Sequence, residues 1–191
     1  MLSHVLLWLG AAWADPPTSP PPPSWTVSYI AQGVRPGAKV GYDFPVLRRV
    51  KRRPNRREGK RAIRRDLAIE PSLSMWHHWG NHTPVTLSAQ AIYRRSKPNG
   101  RQRELFIGQG LTYAINAGFT YRFDGDTLDR SLLAGRAMSA TSFGFGFGRD
   151  LRKKPRSNLE LTWHARPTVT IWSPYNSGGA PVLTLELGVR L

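Results

Sequence analysis

The chain predicts an all-β protein: an antiparallel up-and-down transmembrane β-barrel of about eight strands. Three observations lead there. Apolar and polar residues alternate with period two through segment after segment between residues 36 and 191. The longest apolar run, Val5 to Ala14, is too short for a membrane-spanning helix, which needs about 20 residues, so any crossing has to be made by strands. The N-terminus reads as an export signal, which sends the alternating segments out of the cytoplasm.

Composition removes other classes. With 18 Gly and 16 Pro in 191 residues, a long helical bundle is disfavoured. The absence of cysteine excludes disulfide scaffolds, thiolate zinc sites, iron–sulfur clusters and thiol nucleophiles. There are 28 Lys and Arg against 12 Asp and Glu, a formal charge of +16. That excess points to polyanionic surroundings.

Residues 1–14 are expected to be a signal peptide: Val5 to Leu9 supply the apolar core, and Ala12-Trp13-Ala14 the small-x-small cleavage site. Residues 15–35 follow as a Pro-rich tether, because Pro16, Pro17 and Pro20 to Pro23 lack backbone donors and favour extended polyproline II. The barrel domain is placed at 36–191. Its strands are read at Ala38 to Val46, Leu67 to Met75, Val85 to Tyr93, Leu105 to Ile115 and Phe119 to Phe123, then around Ala140 to Gly148, Leu159 to Trp172 and Val182 to Leu191. In the last, Leu183, Leu185, Leu187, Val189 and Leu191 share one face, and Thr184, Glu186, Gly188 and Arg190 the other. Phe143, Phe145 and Phe147 put three rings on one side of their strand, while Gly144, Gly146 and Gly148 leave room on the other. A further strand at Trp25 to Gln32 would change both strand parity and sidedness.

Segments of about 9–11 residues suit tilted strands crossing a bilayer, and an even number returns both ends to one side. Periodicity alone does not say which face is inside. A soluble lipocalin-like binding barrel, with apolar residues around a ligand cavity, gives the same alternation. The polar face carries Glu70, Arg122, Glu160, His164, Arg166, Glu186 and Arg190 among Gly, Ser and Thr, and aromatics such as Trp76, Tyr93, Tyr113, Trp163 and Trp172 lie towards strand ends. Both features favour a lipid-facing barrel with a filled lumen, in which Glu160, His164, Arg166 and Glu186 form a network.

From residue 36 to 191 the chain resembles the small outer-membrane β-barrel proteins of Gram-negative bacteria. Its last strand looks like the C-terminal signal read by the barrel-assembly machinery, with Leu191 where that family usually ends on Phe. The resemblance implies an outer-membrane location and that machinery as a partner during biogenesis. It implies no specific activity.

Residues 48–65 form the most charged segment. Arg48, Arg49, Lys51, Arg52, Arg53, Arg56, Arg57, Lys60, Arg61, Arg64 and Arg65 face the single anion Glu58. With the N-terminus in the periplasm and 36 as the first strand, this loop is expected outside, beside loops near Arg94 to Arg103, Asp124 to Ala137 and Ser173 to Gly179. Lipopolysaccharide phosphates are then its expected partners. Nucleic acid is not expected, because export removes the chain from it and no recognition-helix, RNP-like or zinc motif accompanies the charge.

His77, His78 and His82 crowd a turn containing Trp76 and Trp79. Imidazoles ligate transition metals, but a hairpin offers no fixed ligand spacing, so the segment reads as an interfacial aromatic turn. No metal or other cofactor is implied. His164 with Glu160 or Glu186 matches a base and its orienter, which makes a lipid-modifying barrel enzyme the alternative function. No Gly-x-Ser-x-Gly, Walker or dinucleotide fingerprint supports it, and a non-enzymatic structural or interaction role is preferred.

Overall fold

The computed structural model describes residues 17–18, 20–32, 35–55, 59–77, 82–116, 120–124, 127–131, 134–153, 159–175 and 178–191. Eight strands close a ring: β1 (Ser24–Gln32), β2 (Arg35–Asn55), β3 (Gly59–Trp76), β4 (His82–Ser96), β5 (Arg101–Asn116), β6 (Gly135–Asp150), β7 (Thr162–Tyr175) and β8 (Gly178–Arg190). Each pairs antiparallel with the next. The ring shuts where β8 meets β1, in register from Leu185↔Ala31 to Arg190↔Thr26. Closure removes the free edges that an open sheet of this length would expose.

Strand number and fold class match the expectation, but one strand is gained at the start of the ring and one is lost from its middle. Ser24–Gln32, assigned to the tether, is a ring strand: its alternating Trp25, Val27 and Tyr29 point out, and Thr26, Ser28 and Ile30 point in. Of the segment Phe119 to Phe123, assigned to the ring, Phe119 lies outside the described residues and the rest is not a ring strand. Thr120–Asp124 instead pairs with Thr127–Ser131 in a separate hairpin between β5 and β6. Five residues are too few to span the wall, and they pair only within that hairpin.

The exchange alters sidedness. Strand β1 runs away from the N-terminal end and β2 returns, so the basic segment lies at the same end of the barrel as Ser24 and Arg190. The Lys97 to Gly100 turn, held by a Gly100 N–H to Lys97 C=O bond of 3.0 Å, lies at that end too. The strand ends at Asn116 and Gly135 and at Tyr175 and Gly178 lie at the opposite end with His77, not beside the basic segment as expected.

The basic segment is also not a loop. Strands β2 and β3 stay paired from Leu47↔Leu67 to Asn55↔Gly59, and past Arg64, where the β3–β4 ladder ends at Ser96, they continue as a two-stranded arm. A bulge between Pro45 and Leu47 re-aims β2 where the arm leaves the ring. Pro17 and Thr18 pair with Arg49 and Arg48 on the free edge of the arm. Arg56, Arg57 and residues 1–16 lie outside the described residues.

Burial decides which face is inside. Leu87, Leu105, Ile107, Leu111, Phe145 and Leu183 are 57–70% exposed on the outer wall, while Glu70, Glu104, Arg166 and Glu186 are at most 5% exposed within it. This distribution is the inverse of a lipocalin-like barrel, whose apolar residues would turn inward. That reading is therefore corrected: no apolar ligand cavity is built into the lumen around these residues.

Candidate functional site: the charged lumen and its two mouths

The lumen is braced at mid-height by Arg166 from β7. Its Nε donates to Glu104 Oε2 at 2.8 Å, and its Nη1 donates to both oxygens of Glu70 at 3.1 Å and to Glu186 Oε1 at 3.3 Å. Lys39 from β2 joins the same carboxylates, with Nζ 2.8 Å from Glu70 Oε1 and 3.1 Å from Glu186 Oε2, and also donates to Gln90 at 3.2 Å. Towards the arm, Arg94 lies 2.6 Å from Glu104 and 2.9 Å from Asp43, and Arg190 lies 3.1 Å and 2.8 Å from the same two groups. Four cations and four carboxylates thus neutralise one another across six of the eight strands. Buried charges require such pairing, since each alone would carry a desolvation cost of several kcal/mol.

Glycines make the space. A Cβ on Gly146 would lie 2.9 Å from Arg166 Cγ, and one on Gly188 would collide with Ser28 Oγ. Arg166 also lies over the Phe106 ring, its Cζ 5.8 Å from the centroid. Of the four residues expected in the network, His164, Arg166 and Glu186 are there. Glu160 is not: it is exposed ahead of β7, whose ladder with β8 stops at Thr162↔Arg190, so nothing folds it into the lumen. Lys39, Asp43, Arg94 and Glu104 are members that the sequence reading missed. Their signal was present in the alternation, because each sits on the polar parity of its strand.

His164 does not stand as a base beside a nucleophile. Its Nε2 contacts both Glu186 Oε1 at 3.0 Å and Ser28 Oγ at 3.2 Å, while Ser28 Oγ donates directly to Glu186 Oε1 at 2.9 Å. A hydrolytic relay needs the acid and the hydroxyl on opposite ring nitrogens. Here one nitrogen holds both, Nδ1 has no hydrogen-bond partner, and Ser28 and His164 are buried. The triangle is a brace between β1, β7 and β8.

The two mouths differ. At the His77 end, Trp76 and Trp172 stack with centroids 5.7 Å apart and planes 9° from parallel. Ile30, Ala114, Met138 and Ala140 complete an apolar plug inside the lumen. Between plug and network remains a cavity of only about 60 Å³. His77 Nδ1 lies 3.1 Å from Thr83 Oγ1 across the turn, and His78 lies outside the described residues. At the arm end a cavity of about 660 Å³ opens outward, lined by Arg48, Arg64, Asp66, Asp150, Arg152 and Lys153 among others. Arg48 pairs with Asp66 at 2.7 Å and Arg152 with Asp150 at 3.0 Å. Partial burial and the nearby Arg64 push the Lys153 ammonium below its ordinary value, with Arg48 and Arg152 acting in the same direction.

No family model and no curated protein matches the chain. Among solved structures it is similar to the N-terminal β-barrel domain of Pseudomonas aeruginosa OprF, at 15% identity and a TM-score of 0.40, over 88% of this chain and 96% of that one. The assignment of the barrel stands on the pairing of its own strands.

Proposed function

We propose that the chain is an outer-membrane β-barrel of structural or interaction type, non-enzymatic, with a sealed lumen and a cationic end that meets phosphate-bearing components of the envelope. The observation that carries this reading is the inversion of burial: an apolar outer wall around a paired ionic interior. Such a surface is stable in hydrocarbon and unstable in water. The plug and the network both obstruct the axis, so conduction is not the role. Lipopolysaccharide phosphate is a partner of matching charge for the arm if the arm faces outward. A ring whose two ends face the periplasm carries the arm there as well, which brings it to the inner leaflet.

The test is fractionation of the expressed chain with a heat-modifiability gel. Recovery in the outer membrane with a mobility shift on boiling is expected. A soluble periplasmic product would overturn the reading.

A further inference from the structure

Where the arm leaves the barrel, the outer wall changes abruptly from apolar to cationic, and the register brings the cations together. Leu47, Leu67, Tyr93, Leu105 and Phe145 are successive cross-strand partners over five strands, β2 to β6. Two residues further towards the arm, Arg49, Arg65, Arg95, Arg103 and Phe147 are partners in the same way. Beside them Arg101 lies opposite Arg149, and Arg149 opposite Trp163.

Like charges directly opposite across a sheet repel, so the pairs Arg95–Arg103 and Arg101–Arg149 favour an anion lying over them. Within the described protein, the carboxylate nearest in sequence, Glu104, turns inward to Arg94 and Arg166. Arg95, Arg101 and Arg103 are exposed, and Arg149 Nε is shielded from solvent without an acceptor. Arg95, Lys97, Arg101, Arg103, Arg149 and Trp163 line one depression of about 360 Å³. It adjoins a second of about 610 Å³, walled by Tyr93, Leu105, Phe145 and Phe147. The apolar wall then continues over Leu67, Ile107 and Phe143.

From this juxtaposition we infer that the outer face of β4–β6 is a binding site for an anionic glycerophospholipid. Its phosphate sits among Arg95, Arg101, Arg103 and Arg149, and its acyl chains lie along Tyr93, Leu105 and Phe145. The guanidinium groups supply charge-assisted, forked hydrogen bonds to phosphate oxygens. The contiguous apolar wall selects a lipid over a free anion, and Trp163, edge-on to Phe147 at 6.2 Å, marks the interface. The site rests on the transmembrane reading above.

The test is native mass spectrometry of the full chain released from micelles containing equal amounts of dioleoylphosphatidylglycerol and dioleoylphosphatidylcholine. The expected result is retention of phosphatidylglycerol over phosphatidylcholine by about tenfold. The double variant Arg95→Gln/Arg103→Gln should lose that preference, and Lys153→Gln, inside the mouth, should keep it. Equal retention of the two lipids by the wild-type chain would overturn the site. So would stronger retention of lipid A, displacement of phosphatidylglycerol by millimolar inorganic phosphate, or loss of preference only in Lys153→Gln. Insertion into phosphatidylcholine vesicles is followed in parallel by heat-modifiability. A chain that inserts without lipid preference defeats this site alone, whereas a chain that does not insert defeats the transmembrane reading as well.

Discussion

At the His77 end of the barrel the lumen closes on two stacked indoles and small apolar neighbours; at the arm end it opens into a cavity rimmed by arginines. Both ends are built from the same period-two strands, with inward positions alternating with outward ones. What differs is the chemistry placed at the inward positions. Trp76 and Trp172 exclude water by packing against each other and the wall. Arg48, Arg94, Arg152 and Arg190 hold their places through carboxylates, and Arg64 and Lys153 line the same mouth. One end is closed by packing, and the other is open and lined by cations.

The most damaging change should fall between the two ends. Arg166→Met leaves Glu70, Glu104 and Glu186 short of their shared cation, with a loss of about 4 kcal/mol expected in urea unfolding from vesicles. A loss under about 1 kcal/mol would show that the network is not a unit. Trp172→Ala should cost about 3 kcal/mol by the same measurement, because it removes half of the plug. Planar-bilayer recordings of that variant should still show no current, since the ionic brace continues to fill the middle. On the outer wall, Ile107→Arg should cost about 3 kcal/mol in the lipid belt, whereas Arg103→Gln at the cationic rim should cost about 0.5 kcal/mol or less. Equal penalties at the two sites would mean that the boundary is misplaced. Ser28→Ala should be the mildest lumen change, about 1 kcal/mol, because Glu186 keeps Lys39, His164 and Arg166.

Much of this was legible in the sequence because side-chain direction in a strand is set by parity. Leu183 to Leu191 and Phe143 to Gly148 could be assigned to faces without knowing their neighbours. Register is a different matter. That Arg166 reaches Glu70, 96 positions away, depends on which strands are adjacent in the ring, and no local pattern encodes it. The strand Ser24–Gln32 was obscured by the proline tract immediately before it, where backbone donors are lacking up to Pro23. The five-residue Thr120–Asp124 segment carried good alternation, Tyr121 and Phe123 against Arg122, but lacked the length to cross. Those two segments together moved the basic arm to the end that holds Ser24 and Arg190. The row Arg49, Arg65, Arg95, Arg103 was likewise invisible, since its members come from four strands and meet only through pairing.

Because the chain has no cysteine, single cysteines can report one position at a time. The most direct measurement attaches an environment-sensitive fluorophore to Leu183→Cys, Thr184→Cys, Leu185→Cys and Leu187→Cys in vesicles and quenches it with bromine-labelled acyl chains. Strong quenching at Leu183, Leu185 and Leu187 with little at Thr184 is the result expected of an apolar wall facing lipid around an ionic lumen. Uniform quenching, or quenching strongest at Thr184, would contradict it.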